Sequence, residues 1–244
     1  MLRRQTPAAP QYLLTTLNPR QRTGASRSGL ETANHLAGNG TYQMSATLTL
    51  DGLTFLREWL IAPLRVGAVF PSGATLAKAI TAEIDGDTGN VIELGPGTGV
   101  FTQALIERGV AERRIALIEA GSEFAVLLEG RFPQATTLWM DASQLRGVEL
   151  FGDEAVGAVV SGLPLLSMTP RKVIAILDGS FRHLRPGGAF YQFTYGPNCP
   201  VPRPILDRLG LKATRVGRAL ANVPPAAVYR IQRRSQRRLP EGWS

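Results

Sequence analysis

The sequence predicts an α/β fold with a mostly parallel β-sheet that has helices on both faces. Short apolar strands alternate with helical segments from residue 91 onward, a glycine-rich turn follows the first strand, and acidic residues follow the next two. Such alternation is typical of βαβ units, because parallel strands need a helical crossover. The chain has 244 residues, 44% of them hydrophobic, so we expect one domain around one core.

The composition of the first 45 residues indicates a segment that does not form a hydrophobic core. Residues 1–45 are rich in Pro, Gly, Ser, Thr, Asn and Arg and have no periodic apolar pattern. Such a segment cannot bury enough apolar surface to offset the entropy of ordering, so we predict a disordered tail. Met44 lies near its end and is an alternative to Met1 as the start of translation.

An amphipathic helix is predicted over residues 50–65. Its apolar side chains recur at helical spacing, and Arg57 and Arg65 flank them. A second, short helix is expected near residues 72–84, after the sequence FPSG at 70–73.

The remaining elements follow in regular order within one domain, residues 46–232. Strands are predicted over residues 91–94, 115–120, 136–140, 155–162 and 188–195, with helices over about 99–109, up to about 131, over 170–184 and near 203–209. A predicted antiparallel pair, residues 211–220 and 226–234, brings the sheet to seven strands. Residues 233–244 form a basic C-terminal tail.

The segment VIELGPGTG, residues 91–99, is the most informative in the chain. Its glycines allow unusual backbone angles and a close approach to a ligand. A dinucleotide site would need G-x-G-x-x-G, whereas here the pattern is G-P-G-T-G and Glu93 precedes it. Glu93 would repel a pyrophosphate and suits a cationic ligand. The segment resembles motif I of the class I S-adenosylmethionine-dependent methyltransferases, which have a Rossmann-like fold; the alternative is a glycine-rich turn without a ligand.

Three later features agree with this resemblance, which implies S-adenosylmethionine as the cofactor. Glu119 ends the second strand, where a carboxylate can accept both ribose hydroxyls. Asp141 matches an acidic residue near the adenine amino group, and the sequence RPGG at 185–188 matches the junction before strand five. The implied cofactor-binding residues are Phe70, Pro71, Ser72, Glu93, Gly95, Pro96, Gly97, Thr98, Gly99, Glu119, Ala120, Asp141, Ala142 and Ser161.

The sequence SGLPLL, residues 161–166, bears on the identity of the methyl acceptor. The sequence GLP within it is similar to the ribosomal-RNA adenine dimethylases, but Gly162 stands where their Asn would be and Leu165 where their aromatic residue would be. Nucleobase enzymes stack the base on such a ring, a contact worth about 1–3 kcal/mol. The net charge of +8 fits a polyanionic partner, either nucleic acid or an anionic membrane. The missing aromatic residue disfavours nucleic acid.

Taken together, LREWLIAPLRVGAVFPSG, ELGPGTGVFT and SGLPLL resemble the bacterial phospholipid N-methyltransferases of the rhizobial type. The resemblance covers about residues 50–232. It implies stepwise methylation of phosphatidylethanolamine to its monomethyl and dimethyl forms and to phosphatidylcholine. The helix at 50–65 is then an interfacial helix on an anionic membrane, with a core helix as the alternative. Its expected membrane contacts are Leu53, Leu56, Arg57, Trp59, Leu60 and Arg65.

Candidate residues for the transfer lie around SGLPLL. Amine protons can be accepted by the hydroxyls of Ser161 and Tyr195 and by the carbonyl of Gly162. The alternative for Tyr195 is a core aromatic residue of strand five. Leu163, with Leu165 and Leu166, forms an apolar wall that disfavours an ammonium ion. The candidate catalytic residues are Ser161, Gly162, Leu163 and Tyr195. FPSG is expected to close over the cofactor, with Ser72 near its carboxylate.

The alternatives are a methyltransferase for another amine lipid such as ornithine lipid, an rRNA adenine N6-methyltransferase, and an inactive cofactor-binding module on a membrane. A single cysteine, Cys199, and two histidines, His35 and His183, disfavour disulfides and metal sites, so no metal is expected. No apolar run reaches the roughly 18 residues of a membrane span. We therefore expect a cytoplasmic protein on the inner face of the bacterial membrane, without an obligate protein partner.

Overall fold

The computed structural model describes residues 71–196, 198–219 and 225–234. Several predictions therefore lie outside the described residues: the tail at 1–45, the helix at 50–65 with its membrane contacts, Phe70 and the basic segment from 235. These stay predictions.

The described residues are built around one sheet. Its strands are β1 (Asn90–Leu94), β2 (Ile115–Glu119), β3 (Thr136–Trp139), β4 (Val156–Ser161), β5 (Leu184–Thr194), β6 (Leu211–Ala219) and β7 (Ala226–Arg233). They lie in the order β3-β2-β1-β4-β5-β7-β6. β1 to β5 are parallel, and β7 runs antiparallel between β5 and β6. The predicted seven-stranded, mostly parallel sheet is confirmed.

Helices cover both faces of the sheet, as predicted. They are α1 (Pro71–Ile80), α2 (Val100–Glu107), α3 (Ser122–Arg131), α4 (Pro170–His183) and α5 (Arg203–Arg208). Apolar side chains of α1, α2 and α3 pack in the core on one face, and those of α4 and α5 pack in the core on the other. Every residue of the central strand β1 is buried, which is typical of a parallel strand covered on both sides.

The first helix ends earlier than the sequence indicated, whereas the fourth begins at the predicted residue. α1 ends at Ile80, before the expected end near 84, and beyond it the carbonyls of Ala82 and Ile84 accept hydrogen bonds from the Arg108 side chain, each at 2.6 Å. α4 begins after Thr169, whose hydroxyl accepts from the Lys172 amide at 3.4 Å. This is an N-cap, which satisfies an otherwise unpaired helix donor.

β5 begins earlier than the sequence indicated. Leu184 pairs with Val156 at the start of β4, so the segment RPGG lies along the strand rather than before it. The register shifts between the Val156–Leu184 and Ala158–Ala189 pairs, where β5 has the extra residues, and a Cβ on Gly188 would lie 3.0 Å from the Gly157 carbonyl oxygen. Gly188 therefore allows close approach of the two strands, which periodicity alone does not reveal.

Candidate active site

The carboxyl ends of β1 to β4 bring the predicted site together. β1 lies between β2 and β4, so the direction in which successive strands are added reverses beside it. Ligands of open α/β sheets bind at such a reversal, outside the carboxyl ends of the strands. The turn at residues 95–99 follows β1, Glu119 ends β2, and Asp141 follows β3 by two residues. Ser161 ends β4.

The turn at residues 95–99 needs its glycines. Gly95, Gly97 and Gly99 have φ angles of 66°, 57° and 83°, in the left-handed region that other residues avoid. A Cβ on Gly99 would lie 2.3 Å from Cε2 of Phe132, at the end of α3. The Arg131 guanidinium also donates to the Thr98 carbonyl. Contacts from α3 thus fix the shape of the turn.

Glu119 is held against this turn by two backbone amides. Its Oε2 accepts from the Gly97 amide at 3.1 Å, and its Oε1 accepts from the Gly121 amide at 2.8 Å. The residue is only 9% exposed. Each carboxylate oxygen has a further lone pair, so the group keeps capacity for two hydroxyl donors. Ribose binding by Glu119 stays a prediction that this geometry fits.

Glu93 is fully buried on the α1–α2 side of the sheet. Its Oε2 accepts from the Thr102 hydroxyl at 2.7 Å, and its Oε1 has no hydrogen-bond partner among the described residues. Burial raises the pKa of Glu93 to about 8, so the group is mostly protonated at neutral pH. The sequence pointed to a charged carboxylate here. A nearby cation favours the charged form, so a cationic ligand fits this unpaired oxygen.

Asp141 is paired with a residue that the sequence did not single out. Its Oδ1 accepts from the Ser143 amide at 2.9 Å, which caps the short helix Ala142–Gly147. Its Oδ2 lies 2.7 Å from the Lys172 Nζ, at the start of α4. Lys172 lowers the pKa of Asp141 to about 2. No local pattern links these two positions, so only the packing of α4 reveals the pair.

The SGL segment, residues 161–163, packs directly on the glycine turn. The Gly162 amide donates to the Leu94 carbonyl at 2.8 Å. A Cβ on Gly162 would lie 2.6 Å from the Gly95 carbonyl oxygen, and one on Gly95 would lie 2.7 Å from Cδ2 of Leu163. Ser161 is fully buried, and its hydroxyl accepts from the Leu163 amide at 3.3 Å. The candidate acceptor segment and the candidate cofactor turn are therefore in contact.

The three leucines of SGLPLL have three different environments. Leu163 lies half-buried over Gly95, whereas Leu165 is 2% exposed and belongs to the core on the α4 side. Leu166 is 66% exposed. They do not form one wall, and Leu163 is the one that contacts the cofactor turn.

Tyr195 follows β5 and packs on the α1–α2 side of the sheet. Its ring meets that of Phe193 edge to face, with centroids 5.5 Å apart. Burial raises the pKa of the Tyr195 hydroxyl to about 12, so it is not a base at neutral pH. These contacts favour the alternative given above, a core aromatic residue.

Gln192 is a second residue that the sequence analysis missed. It lies in β5, is 1% exposed and pairs in register with Ser161. Its Nε2 donates to the carbonyls of Leu163 and Phe193, both at 3.0 Å. A polar residue inside the apolar strand sequence GAFYQFTY was the available signal.

The other predicted cofactor residues are placed here by chain position only, and their cofactor contacts stay predictions. Pro96 and Thr98 belong to the turn, Ala120 follows β2, Ala142 follows Asp141, and Pro71 and Ser72 begin α1. No cluster of three or more His, Cys, Asp or Glu side chains suited to a metal ion occurs in the part of the chain that the structure describes. In the same part, no helix has the length and apolar character needed to cross a membrane.

Comparison with known proteins supports the fold and the chemistry. The chain is 27% identical over 184 residues to an ornithine lipid N-methyltransferase of Singulisphaera acidiphila, which covers 73% of this chain and 94% of the relative. No protein-family model matches.

Solved structures show the fold at low sequence identity. A TehB-like S-adenosylmethionine-dependent methyltransferase from Corynebacterium glutamicum is 14% identical, with a TM-score of 0.52 over 76% of this chain and all of that one. Magnesium protoporphyrin IX methyltransferase from Synechocystis, solved with bound S-adenosylmethionine, is 14% identical, with a TM-score of 0.53 over 80% of this chain and all of that one. The chain has the class I S-adenosylmethionine-dependent methyltransferase fold, and the comparisons support S-adenosylmethionine as the cofactor.

Proposed function

We propose that this chain is an S-adenosylmethionine-dependent N-methyltransferase whose acceptor is the amine headgroup of a membrane lipid. The observation that carries the proposal is the contact between Gly162 and Gly95. It joins an acceptor segment without nucleobase-binding residues to the cofactor turn. The likeness to a lipid N-methyltransferase over 94% of that relative's length agrees with it.

Four features of the described residues fit S-adenosylmethionine. The positive-φ glycines leave room for a ligand against the backbone, Glu119 keeps lone pairs for hydroxyl groups, and the unpaired Oε1 of Glu93 suits a cationic group. Asp141 is ionised in the neutral range, as an ordinary aspartate is, Lys172 lowers its pKa further, and the carboxylate can accept from an amino group. When bound, the cofactor supplies a methyl group that moves to the amine lone pair as its carbon–sulfur bond breaks, with the bonding electrons staying on sulfur.

The chain's part in the transfer is to hold a neutral amine rather than to deprotonate it. A lipid amine has a pKa of about 10 by analogy with lysine, and an apolar site lowers it. Tyr195 is no base near neutral pH, and the His183 Nε2 lies 3.1 Å from the Leu145 carbonyl, at the far end of α4. Proximity and orientation then provide most of the rate enhancement. The amine loses its proton to solvent before each transfer.

Ornithine lipid is the first candidate acceptor, because the curated relative is named for it. Phosphatidylethanolamine is the second, because the FPSG and SGLPLL sequences resemble those of the phospholipid enzymes. Both lipids present an amine near an anionic group at a membrane surface. The helix at 50–65 binds that surface in this proposal, on the inner face of the cytoplasmic membrane.

The test is expression of the full chain in a bacterium whose membrane contains ornithine lipid and phosphatidylethanolamine but no methylated lipid. Mass spectrometry of the extracted lipids should show one headgroup class carrying additional methyl groups. A strain expressing the Gly97→Asp variant is the matched control. Unchanged lipids at full expression of soluble protein would contradict the proposal.

A further inference from the structure

Gln192 is a buried polar side chain whose hydrogen bonding is half satisfied. Its Nε2 donates to two carbonyl oxygens, those of Leu163 and Phe193. Carbonyl oxygens accept only, so these two contacts fix which end of the amide is the NH2 group. Its Oε1 is buried and has no hydrogen-bond partner among the described residues.

The Gln192 side chain lies at the acceptor side of the site. Val159 of β4 and Phe190 of β5 are register partners and both pack in the core on the α4 side. Side chains two residues further along a strand share the same face, so Ser161 and Gln192 lie side by side on that face at the carboxyl ends of their strands. The amide of Gln192 thus lies beneath the SGL segment that contacts the cofactor turn.

A buried carbonyl oxygen without a donor is costly, because it has given up its hydrogen bonds to water. A bound ligand with a hydrogen-bond donor would therefore be favoured at the Gln192 Oε1. The acceptor amine brings N–H groups to this region if the proposed function holds. A neutral primary amine has more than one N–H, a neutral secondary amine has one, and a neutral tertiary amine has none.

We propose that the Gln192 Oε1 accepts a hydrogen bond from the acceptor amine, so that the site distinguishes amines that still carry N–H from those that do not. This inference rests on the proposed lipid-amine function. It makes Gln192 a specificity residue: the bond orients the nitrogen lone pair for the early transfers and is absent from the last. Methylation should therefore slow at the dimethyl stage.

The test compares acceptors that differ only in the amine. Phosphatidylglycerol vesicles carry either ornithine lipid or phosphatidylethanolamine, each supplied with its monomethyl and dimethyl forms. The variant is Gln192→Met, which is close in shape and has no amide. The matched control is Thr194→Val, because Thr194 is a buried polar residue of the same strand and lies on the same face.

We expect Gln192→Met to lower kcat/KM about five- to tenfold for the unmethylated and monomethyl lipids, the size of one hydrogen bond. The loss on the dimethyl lipid should be smaller, because there only the lost hydrogen bond to the Leu163 carbonyl counts, and Thr194→Val should change none of the three. An equal loss on all three lipids would overturn the proposal, because it would show that Gln192 only supports Leu163.

A binding measurement on the wild type keeps the test valid if the variant does not fold. In the presence of S-adenosylhomocysteine, short-chain phosphatidylethanolamine should bind about fivefold or more tightly than short-chain phosphatidylcholine, whose quaternary nitrogen has no N–H. Equal affinities would overturn the proposal. If the wild type methylates neither lipid in vesicles while it binds S-adenosylhomocysteine, the proposed function fails, and this inference fails with it.

Discussion

Gly162 has no room for a side chain, because a Cβ there would lie 2.6 Å from the Gly95 carbonyl oxygen. Its amide also donates to the Leu94 carbonyl at 2.8 Å, so the ends of β1 and β4 are joined by a hydrogen bond and by direct packing. The acceptor segment and the cofactor turn are thereby one structural unit, and a change in one displaces the other.

Gly162→Ala should damage cofactor binding and methyl transfer together. The added methyl group meets backbone rather than a flexible side chain, and overpacking of this kind costs about 1–3 kcal/mol. We expect affinity for S-adenosylhomocysteine to fall about tenfold or more in calorimetry. Gly130→Ala is the control, since nothing lies within 4 Å of its Cβ position. Wild-type affinity in Gly162→Ala would mean that the two segments are independent.

Gly97→Asp should abolish cofactor binding. Gly97 has a φ of 57°, and its amide lies 3.1 Å from Oε2 of Glu119, so an aspartate adds both backbone strain and a second negative charge. Gly152→Asp is a matched control, because Gly152 has a φ of 58° and open space around it. It carries the same strain away from the site. If both variants bind S-adenosylhomocysteine equally well in calorimetry, the turn is not the cofactor site.

Glu93 should make the free energy of unfolding depend on pH. Its pKa is about 8 in the folded protein and 4.5 for an exposed glutamate, so between these values the folded state holds a proton that the unfolded state has lost. Stability therefore falls as pH rises through this window, by about 1.4 kcal/mol per pH unit, and levels off above it.

Urea denaturation of the wild type and Glu93→Gln across that window measures this effect. The glutamine variant cannot ionise, so its stability should lack this decline. Parallel curves for the two proteins would show that Glu93 is already charged in the folded state.

Arg57→Glu together with Arg65→Glu should weaken binding to anionic vesicles and leave cofactor affinity unchanged. In the proposed interfacial helix these arginines contact anionic headgroups, each worth about 1 kcal/mol near the surface. Flotation with phosphatidylglycerol vesicles measures the first quantity, and calorimetry measures the second. Arg57→Lys with Arg65→Lys is the charge-preserving control. Unchanged flotation of the glutamate pair would assign the helix to the core.

The sequence predicted the sheet well because its signals are local. The apolar run at β1, the glycines of the turn and the alternation of strands with helices each indicate structure within a few residues, and the observed seven-stranded sheet agrees with them. The start of β5 was placed too late, because the pairing of Leu184 with Val156 depends on a neighbouring strand.

The site was only partly predictable, for a related reason. Gly95 and Glu119 follow from motif spacing, whereas the Lys172–Asp141 pair joins residues 31 positions apart through the packing of α4. The role of Gln192 likewise depends on the loop above it. The protonated state of Glu93 arises from complete burial, which its position at a strand end did not indicate.

Transfer of a radiolabelled methyl group from S-adenosylmethionine by the purified full chain tests the central claim most directly. Parallel reactions contain phosphatidylglycerol vesicles with ornithine lipid, the same vesicles with phosphatidylethanolamine, or bulk RNA, and the products are separated by chromatography. We predict label in a methylated amine lipid and none in RNA. Label in RNA alone would contradict the account, and the positive charge of the chain would then indicate a nucleic-acid substrate.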